Sequence, residues 1–277
     1  MAASLFRSPL APRLEAFLET RRVGRRGVST QKLLRYLDRF LARELKPGQT
    51  ITREVAERWM ESIQHLSTGS RINRISVLRQ FCRYLSYFHP HTYTVPQSSL
   101  PRRTRLAPHI YTRGDVCKIM AAARRLGPAA SLRPMVVSHL IGLLYATGIR
   151  IGEALNLTLA DLDLKRRLLL IREGKFGKSR YIPLSASTAS RLAAYVEQRR
   201  KAKHSTASTA PLFVNLAGRK YGHSSWATIF LEVVRQIGLR GPKGQRGPRV
   251  HDFRHTQGRS KLPETGLKQR AFLQILL

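Results

Sequence analysis

TGIRIGEALNLTLADLDL, residues 147–164, ends one helix and opens the next. It follows MVVSHLIGLLYATGI, a segment apolar on every side, which predicts a helix buried all round. It precedes LLLIREGKFGKSRYIPL, two β-prone arms around a Gly174-Lys175-Phe176-Gly177 turn. Helices with one short hairpin between them describe a mainly α chain with a small antiparallel β-sheet, an α+β fold. The stretch also sets Glu153 three residues after Arg150, a spacing at which the carboxylate can hold the guanidinium.

Upstream, residues 1–98 read as a helical domain. STQKLLRYLDRFLARELKPG starts at Ser29 as N-cap, repeats Leu33, Leu37, Phe40 and Leu41 at helical spacing, and stops at Pro47-Gly48. ITREVAERWMESIQHL offers Thr52 as cap and Val55, Trp59, Met60 and Ile63 as an apolar face. RINRISVLRQFCRYLSYF puts Ile72, Ile75, Cys82 and Leu85 on one side and leaves Arg71, Arg74, Arg79 and Arg83 largely on the others. Those arginines read either as a solvated helix surface or as phosphate contacts. Residues 99–110 form a basic, proline-containing linker with Arg102, Arg103 and Arg105. Residues 111–277 form the second domain, which opens with a capping-box-like Thr112 and Asp115. Downstream of the hairpin come STASRLAAYVEQRR, a helix capped by Ser187 or Thr188, then PLFVN as a short strand, SSWATIFLEVVRQIGL as a helix, and the basic loop GPKGQRGP.

Fifty Lys and Arg face sixteen Asp and Glu, a formal net charge of +34. Such an excess repels itself within a compact fold and is relieved by a polyanion, nucleic acid before an acidic membrane because the charge is spread along the chain. Cys82 and Cys117 lie in apolar helical patterns and read as reduced core thiols; no zinc spacing, membrane-length apolar run or export signal is present. A cytoplasmic protein without metal or cofactor is expected. LPETG at 262–266 lacks the tail of a wall-sorting signal and is read as chance.

Arg150, Lys175, His251 and Arg254 suit one target, a phosphodiester. Guanidiniums offer rigid donor forks to phosphate oxygens. A lysine at a hairpin tip can protonate a leaving oxygen, and a histidine can move a proton. His251 stands three residues before Arg254, which on a helix puts both on one face.

These motifs resemble the tyrosine recombinase (phage integrase) family. TGIRIGEALNLTLADLDL is similar to its first-arginine box, GKFGKSRYIPL to its catalytic hairpin, and HDFRHT to its second box. The resemblance reaches Thr256 and implies a DNA clamp with an N-terminal core-binding domain and double-stranded DNA as partner. It also implies oligomers on that DNA, a dimer to a tetramer. Cleavage through a 3′-phosphotyrosyl link, without metal or ATP, is implied too. Arg150 and Arg254 would hold the scissile phosphate, Lys175 would be the general acid, and His251 would aid proton transfer. Glu153 and His255 would support them.

The resemblance fails after HDFRHT. QGRSKLPETGLKQRAFLQILL carries Gly258, Pro263 and Gly266 where the family continues as a helix, and no tyrosine follows Tyr221. GHSS at 222–225 mimics the family's later Gly-His box but precedes HDFRHT. Tyr145 and Tyr181 read as packing residues, so no nucleophile is identified. The expectation is a reading frame truncated or rewritten near codon 257, in a recombinase unable to cleave alone. Alternatives are a non-catalytic DNA-binding protein that occupies recombination sites, and a basic RNA-binding protein. All three need phosphate contacts, so affinity for nucleic acid should fall at least a hundredfold, on the order of 10³, between 50 and 200 mM salt. A fluorescence titration at the two salt concentrations checks this; a flat response contradicts the reading of the charge.

Overall fold

The computed structural model describes residues 5–22, 27–102, 107–172, 178–242, 245 and 247–259. The chain divides into two compact units, Met1–Leu106 and Ala107–Leu277. Among the described residues no helix is long and apolar enough to cross a membrane.

The first unit packs four helices: α1 (Ala11–Arg22), α2 (Gly27–Glu44), α3 (Arg53–Ser62) and α4 (Thr68–Leu85). Its core joins Leu14 and Phe17, Leu34 and Leu37, Trp59, and Leu78 and Phe81, one apolar stripe from each helix. Thr52 Oγ1 accepts from the Val55 amide and Ser67 Oγ from the Ser70 amide, each 3.4 Å, which fixes where α3 and α4 begin. α2 begins at Gly27, so the helix starts ahead of Ser29 and not after it. Buried Asp38 accepts from the Arg7 and Ser8 amides at 2.9 Å and pins the segment before α1.

The second unit is built around α6 (Arg133–Thr147), whose residues 136–146 are all buried. It packs against α5 (Arg113–Ala123), α8 (Ala186–Lys201) and α10 (Asp252–Arg259), so each side needs an apolar surface. The Thr112–Asp115 capping box forms at α5, with bonds of 2.9 and 3.0 Å. After α6 come α7 (Ile151–Leu155) and a three-stranded antiparallel sheet, β1 (Leu162–Asp163), β2 (Leu168–Ile171) and β3 (Arg180–Pro183), in that spatial order. Leu169 pairs with Ile182 and Ile171 with Arg180. The buried Leu169 and Ile171 mark the inward face. α9 (His223–Gln236) closes the core with Trp226 and Phe230.

Three further expectations change. PLFVN forms isolated bridges, Pro211 with Thr158 and Val214 with Lys220, and no strand. The cap of α8 is Ser185, which accepts from the Thr188 amide at 3.1 Å; Ser187 and Thr188 are buried in the first turn. Cys82 is buried as expected, but Cys117 is half-buried; both are free thiols.

Gly148 ends α6 in the left-handed region, φ +63°, and a Cβ there would lie 3.0 Å from Cβ and Cγ of Gln257 on α10. Both the strain and the close approach act against a side chain. Gly148→Ala should lower the unfolding free energy by about 1–2 kcal/mol or more in urea titration; a change within about 0.5 kcal/mol contradicts this packing.

Candidate functional site

The left-handed turn at Gly148 sets Arg150 in extended backbone, φ −72° and ψ 144°, at the head of α7. Glu153 folds back on it. Its Oε2 accepts from the Arg150 amide and its Oε1 from Arg150 Nη1, both at 2.9 Å. The second box arrives on α10, whose orientation is fixed on both sides. Asp252, 1% exposed, accepts from the Arg249 amide and Nη2 at 2.9 Å. Tyr111 stacks on Phe253 with ring centroids 4.3 Å apart, and its amide donates to Thr256 Oγ1 at 3.0 Å.

So held, α10 lies across the end of α6. Arg254 Nη1 donates to the Gly148 carbonyl at 3.0 Å and Gln257 Nε2 to the Ala146 carbonyl at 3.2 Å. Carbonyls at a helix C-terminus lack intrahelical donors, so an arginine suits this place on charge and on hydrogen bonding. Burial first, then the Arg150 charge, pushes the pKa of Arg254 below the ordinary arginine value. Arginine stays charged even so. The structure thus brings Arg150 and Arg254 to one place with Glu153 beneath them.

His251 occupies the turn before α10, not the helix itself, and its ring meets that of His255 edge-on at 5.2 Å. Burial, His255 and Arg254 lower its pKa from the usual histidine value, so the ring is neutral near pH 7 and can accept a proton. His251 also lines a cavity of about 430 Å³ with Ile151, His223, Trp226 and Phe230. GHSS therefore opens α9, as its position before the basic loop implies, and its histidine shares a cavity with His251. That proximity had no local signal in the sequence.

Arg180 was also missed. From the inward face of β3 it donates to Glu153 Oε1 at 3.2 Å and Oε2 at 2.7 Å. The alternation of KSRYIPL around buried positions was the available clue. Tyr181 corrects the sequence reading, since it is 67% exposed. It neighbours Arg180 on a strand and so projects from the opposite face of the sheet, away from Glu153. Tyr145 is buried in α6.

Lys175, Arg103 and Arg105 lie outside the described residues, as does the tail from 260 to 277 with LPETG. In the first unit Arg71 is half-buried, Arg74 lies over the Tyr36 ring at 4.2 Å, and Arg79 Nε donates to the Val95 carbonyl at 2.9 Å. Arg79 thus has a packing duty that its sequence position did not reveal. Arg102 is exposed.

The sequence profile of the phage integrase family matches residues 111–276. The chain belongs to the phage integrase family. Among its relatives, y4rB of Sinorhizobium fredii, an integrase/recombinase by name, is 36% identical over 209 residues, 74% of this chain and 67% of the relative. The tyrosine recombinase XerD of Bifidobacterium longum is 27% identical over 236 residues, 81% of this chain and 73% of XerD. Among solved structures, a lambda integrase dimer bound to a core site superposes with a TM-score of 0.63 at 15% identity, covering 95% of this chain and 93% of that one. The Tn1549 transposon integrase, in complex with circular intermediate DNA, gives 0.63 at 17% identity, covering 93% and 90%. These likenesses show that this integrase-family chain has the tyrosine recombinase fold.

Glu153 ties the site to stability. Burial alone would raise its pKa, but hydrogen bonds from Arg180, the Arg150 amide and the Arg150 guanidinium outweigh it and hold the pKa at about 2, below the ordinary 4.5. A depressed carboxylate stabilises the fold above its unfolded pKa and loses that contribution as pH falls toward its folded one. Glu153→Gln should therefore cost on the order of 2 kcal/mol at pH 7, with the gap to wild type narrowing between about pH 5 and pH 2. Urea unfolding across that range checks it; a gap independent of pH contradicts the shared-carboxylate geometry.

Proposed function

We propose that this chain is a site-specific recombinase or integrase of mobile DNA that grips duplex DNA and seats one backbone phosphate against Arg150 and Arg254. The observation that carries this is Arg254. It is docked on the Gly148 carbonyl beside Arg150, and among the described residues no carboxylate hydrogen-bonds it. A guanidinium held rigid, partly desolvated and unneutralised is suited to an anion that arrives from outside. The partner follows from the charge of +34 and from the solved neighbours, which are captured on DNA as a lambda integrase dimer and a lambda integrase tetramer on a Holliday junction. Duplex DNA is the proposed ligand here, with assembly on it as dimer or tetramer, in the cytoplasm. Residues 1–98 are proposed as the core-binding domain, with Arg71, Arg74 and Arg79 on it and Arg102, Arg103 and Arg105 in the linker 99–110 as backbone contacts.

In the reaction of this family a tyrosine oxygen attacks phosphorus, the bond to the 5′ oxygen breaks, and that oxygen takes up a proton. Lys175 is proposed as the donor and neutral His251 as the group that relieves the attacking hydroxyl of its proton. Neither tyrosine weighed for the attack is placed for it. Tyr145 is buried and Tyr181 projects from the wrong face of β3. With Tyr145 and Tyr181 so placed, these 277 residues are proposed to bind and position a phosphate without cleaving, which would let them occupy recombination sites.

The test uses a duplex selected by this chain from a randomised pool, then nicked next to the footprint centre as a suicide substrate. Wild type should retain the duplex over structured RNA and give no denaturant-resistant adduct, and Arg254→Ala should weaken retention by about tenfold. Equal retention of RNA overturns the DNA reading. An adduct on any tyrosine overturns the absence of cleavage.

A further inference from the structure

We infer that Arg180 is a positioning residue of the phosphate site: by taking up the charge of Glu153 it leaves the charge of Arg150 free for the phosphate. This rests on the phosphate reading above and adds a residue and a mechanism to it.

Glu153 Oε1 accepts from Nη1 of Arg150 at 2.9 Å and Nη1 of Arg180 at 3.2 Å. Oε2 accepts from the Arg150 amide at 2.9 Å and Arg180 Nη2 at 2.7 Å. Arg180 thus grips the carboxylate through both oxygens, a fork geometry that is strong and directional. Arg150 reaches it with one guanidinium nitrogen and keeps the others available. The carboxylate side chain is 9% exposed, whereas Arg150 and Arg180 are 34% and 38% exposed. The acid lies beneath and the cations face outward.

Charge decides what this does. Arg150 and Arg180 share the carboxylate and Arg254 stands nearby, so three guanidinium charges face one carboxylate and two positive charges are in excess. Without Arg180, Glu153 would neutralise Arg150 and leave Arg254 alone. A phosphodiester carries one negative charge, and its five-coordinate transition state carries about one more on the equatorial oxygens. A site with two uncompensated charges is matched to the latter, and interactions stronger in the transition state are those that accelerate a reaction. Arg180 comes from β3, so the same fork joins the sheet to the arginine turn.

The experiment follows the arginine Nε–Hε NMR signals of the full chain during titration with inorganic phosphate, largely a dianion at pH 7.5, and with dimethyl phosphate, a monoanion. Wild type should show Arg150 and Arg254 responding to both, with inorganic phosphate bound more tightly. Arg180→Gln should weaken inorganic phosphate by about tenfold and erase its advantage over the diester. Arg180→Lys, which restores charge without the fork, should recover most of that preference even where urea unfolding shows it less stable. A purely structural brace predicts that stability and phosphate preference fall together in the Lys and Gln variants alike; that result overturns the inference. So does an Arg180→Gln protein that keeps the wild-type preference while Arg150→Gln abolishes binding. Silence of Arg150 and Arg254 toward both anions in wild type overturns the phosphate reading itself, and this inference with it.

Discussion

The left-handed turn at Gly148 is the constraint on which the site depends. It ends the buried helix α6, presents its own carbonyl to Arg254, and throws the chain into the extended conformation that Arg150 needs to head α7. Two residues 106 positions apart in the chain meet across that carbonyl. A side chain at 148 would press on Gln257, so the approach of α10 is as close as the backbone allows. The chemistry proposed for this chain is in that sense a by-product of helix termination. The unsatisfied carbonyls at the end of α6 attract donors, and the donors that arrive belong to the second arginine box.

The acids explain how a chain with so much positive charge holds together. Asp38, Asp161 and Asp252 are 3%, 3% and 1% exposed, and Glu153 is nearly buried as well. Each accepts several donors. Asp38 ties the segment before α1, Asp161 receives Thr158 and Arg172, and Asp252 holds Arg249. A buried carboxylate with several donors organises its surroundings far more than an exposed one does. The scarce acids sit where they fix the backbone, and the outer surface keeps its excess of cations. A fold arranged this way remains self-repelling until an anion covers it, which is how the composition connects to the proposed function.

What could be read from the chain alone followed from how local the signal was. Thr52, Ser67 and the Thr112–Asp115 box act within one turn, and the caps at Thr52 and Thr112 were legible for that reason. The buried α6 was legible because a helix covered on all sides must be apolar throughout. The two-residue strand β1 was not, since Leu162 and Asp163 become a strand only by pairing with Leu168 and Leu169. Ser185 was missed, since it stands ahead of the Ser187 and Thr188 read as caps and only the path of the chain out of β3 selects it. At the site, Arg150, Glu153, His251 and Arg254 stood out because their motifs are contiguous. Arg180 and His223 did not, because what places them near that cluster is sheet register and helix packing. Tyr181 was misread for the same reason, since a hairpin arm does not announce which face its sheet buries.

The central claim is that Arg150 and Arg254 act on one phosphate, and a double-mutant cycle on a single selected duplex tests it most directly. Affinity is measured for wild type, Arg150→Ala, Arg254→Ala and the pair, at one salt concentration. If both guanidiniums hold the same phosphate, losing either disables the other, and the double variant should lose less affinity than the sum of the two single losses, by a coupling of about 1 kcal/mol or more. Losses that add to within about 0.3–0.5 kcal/mol would mean two independent contacts and would contradict the account.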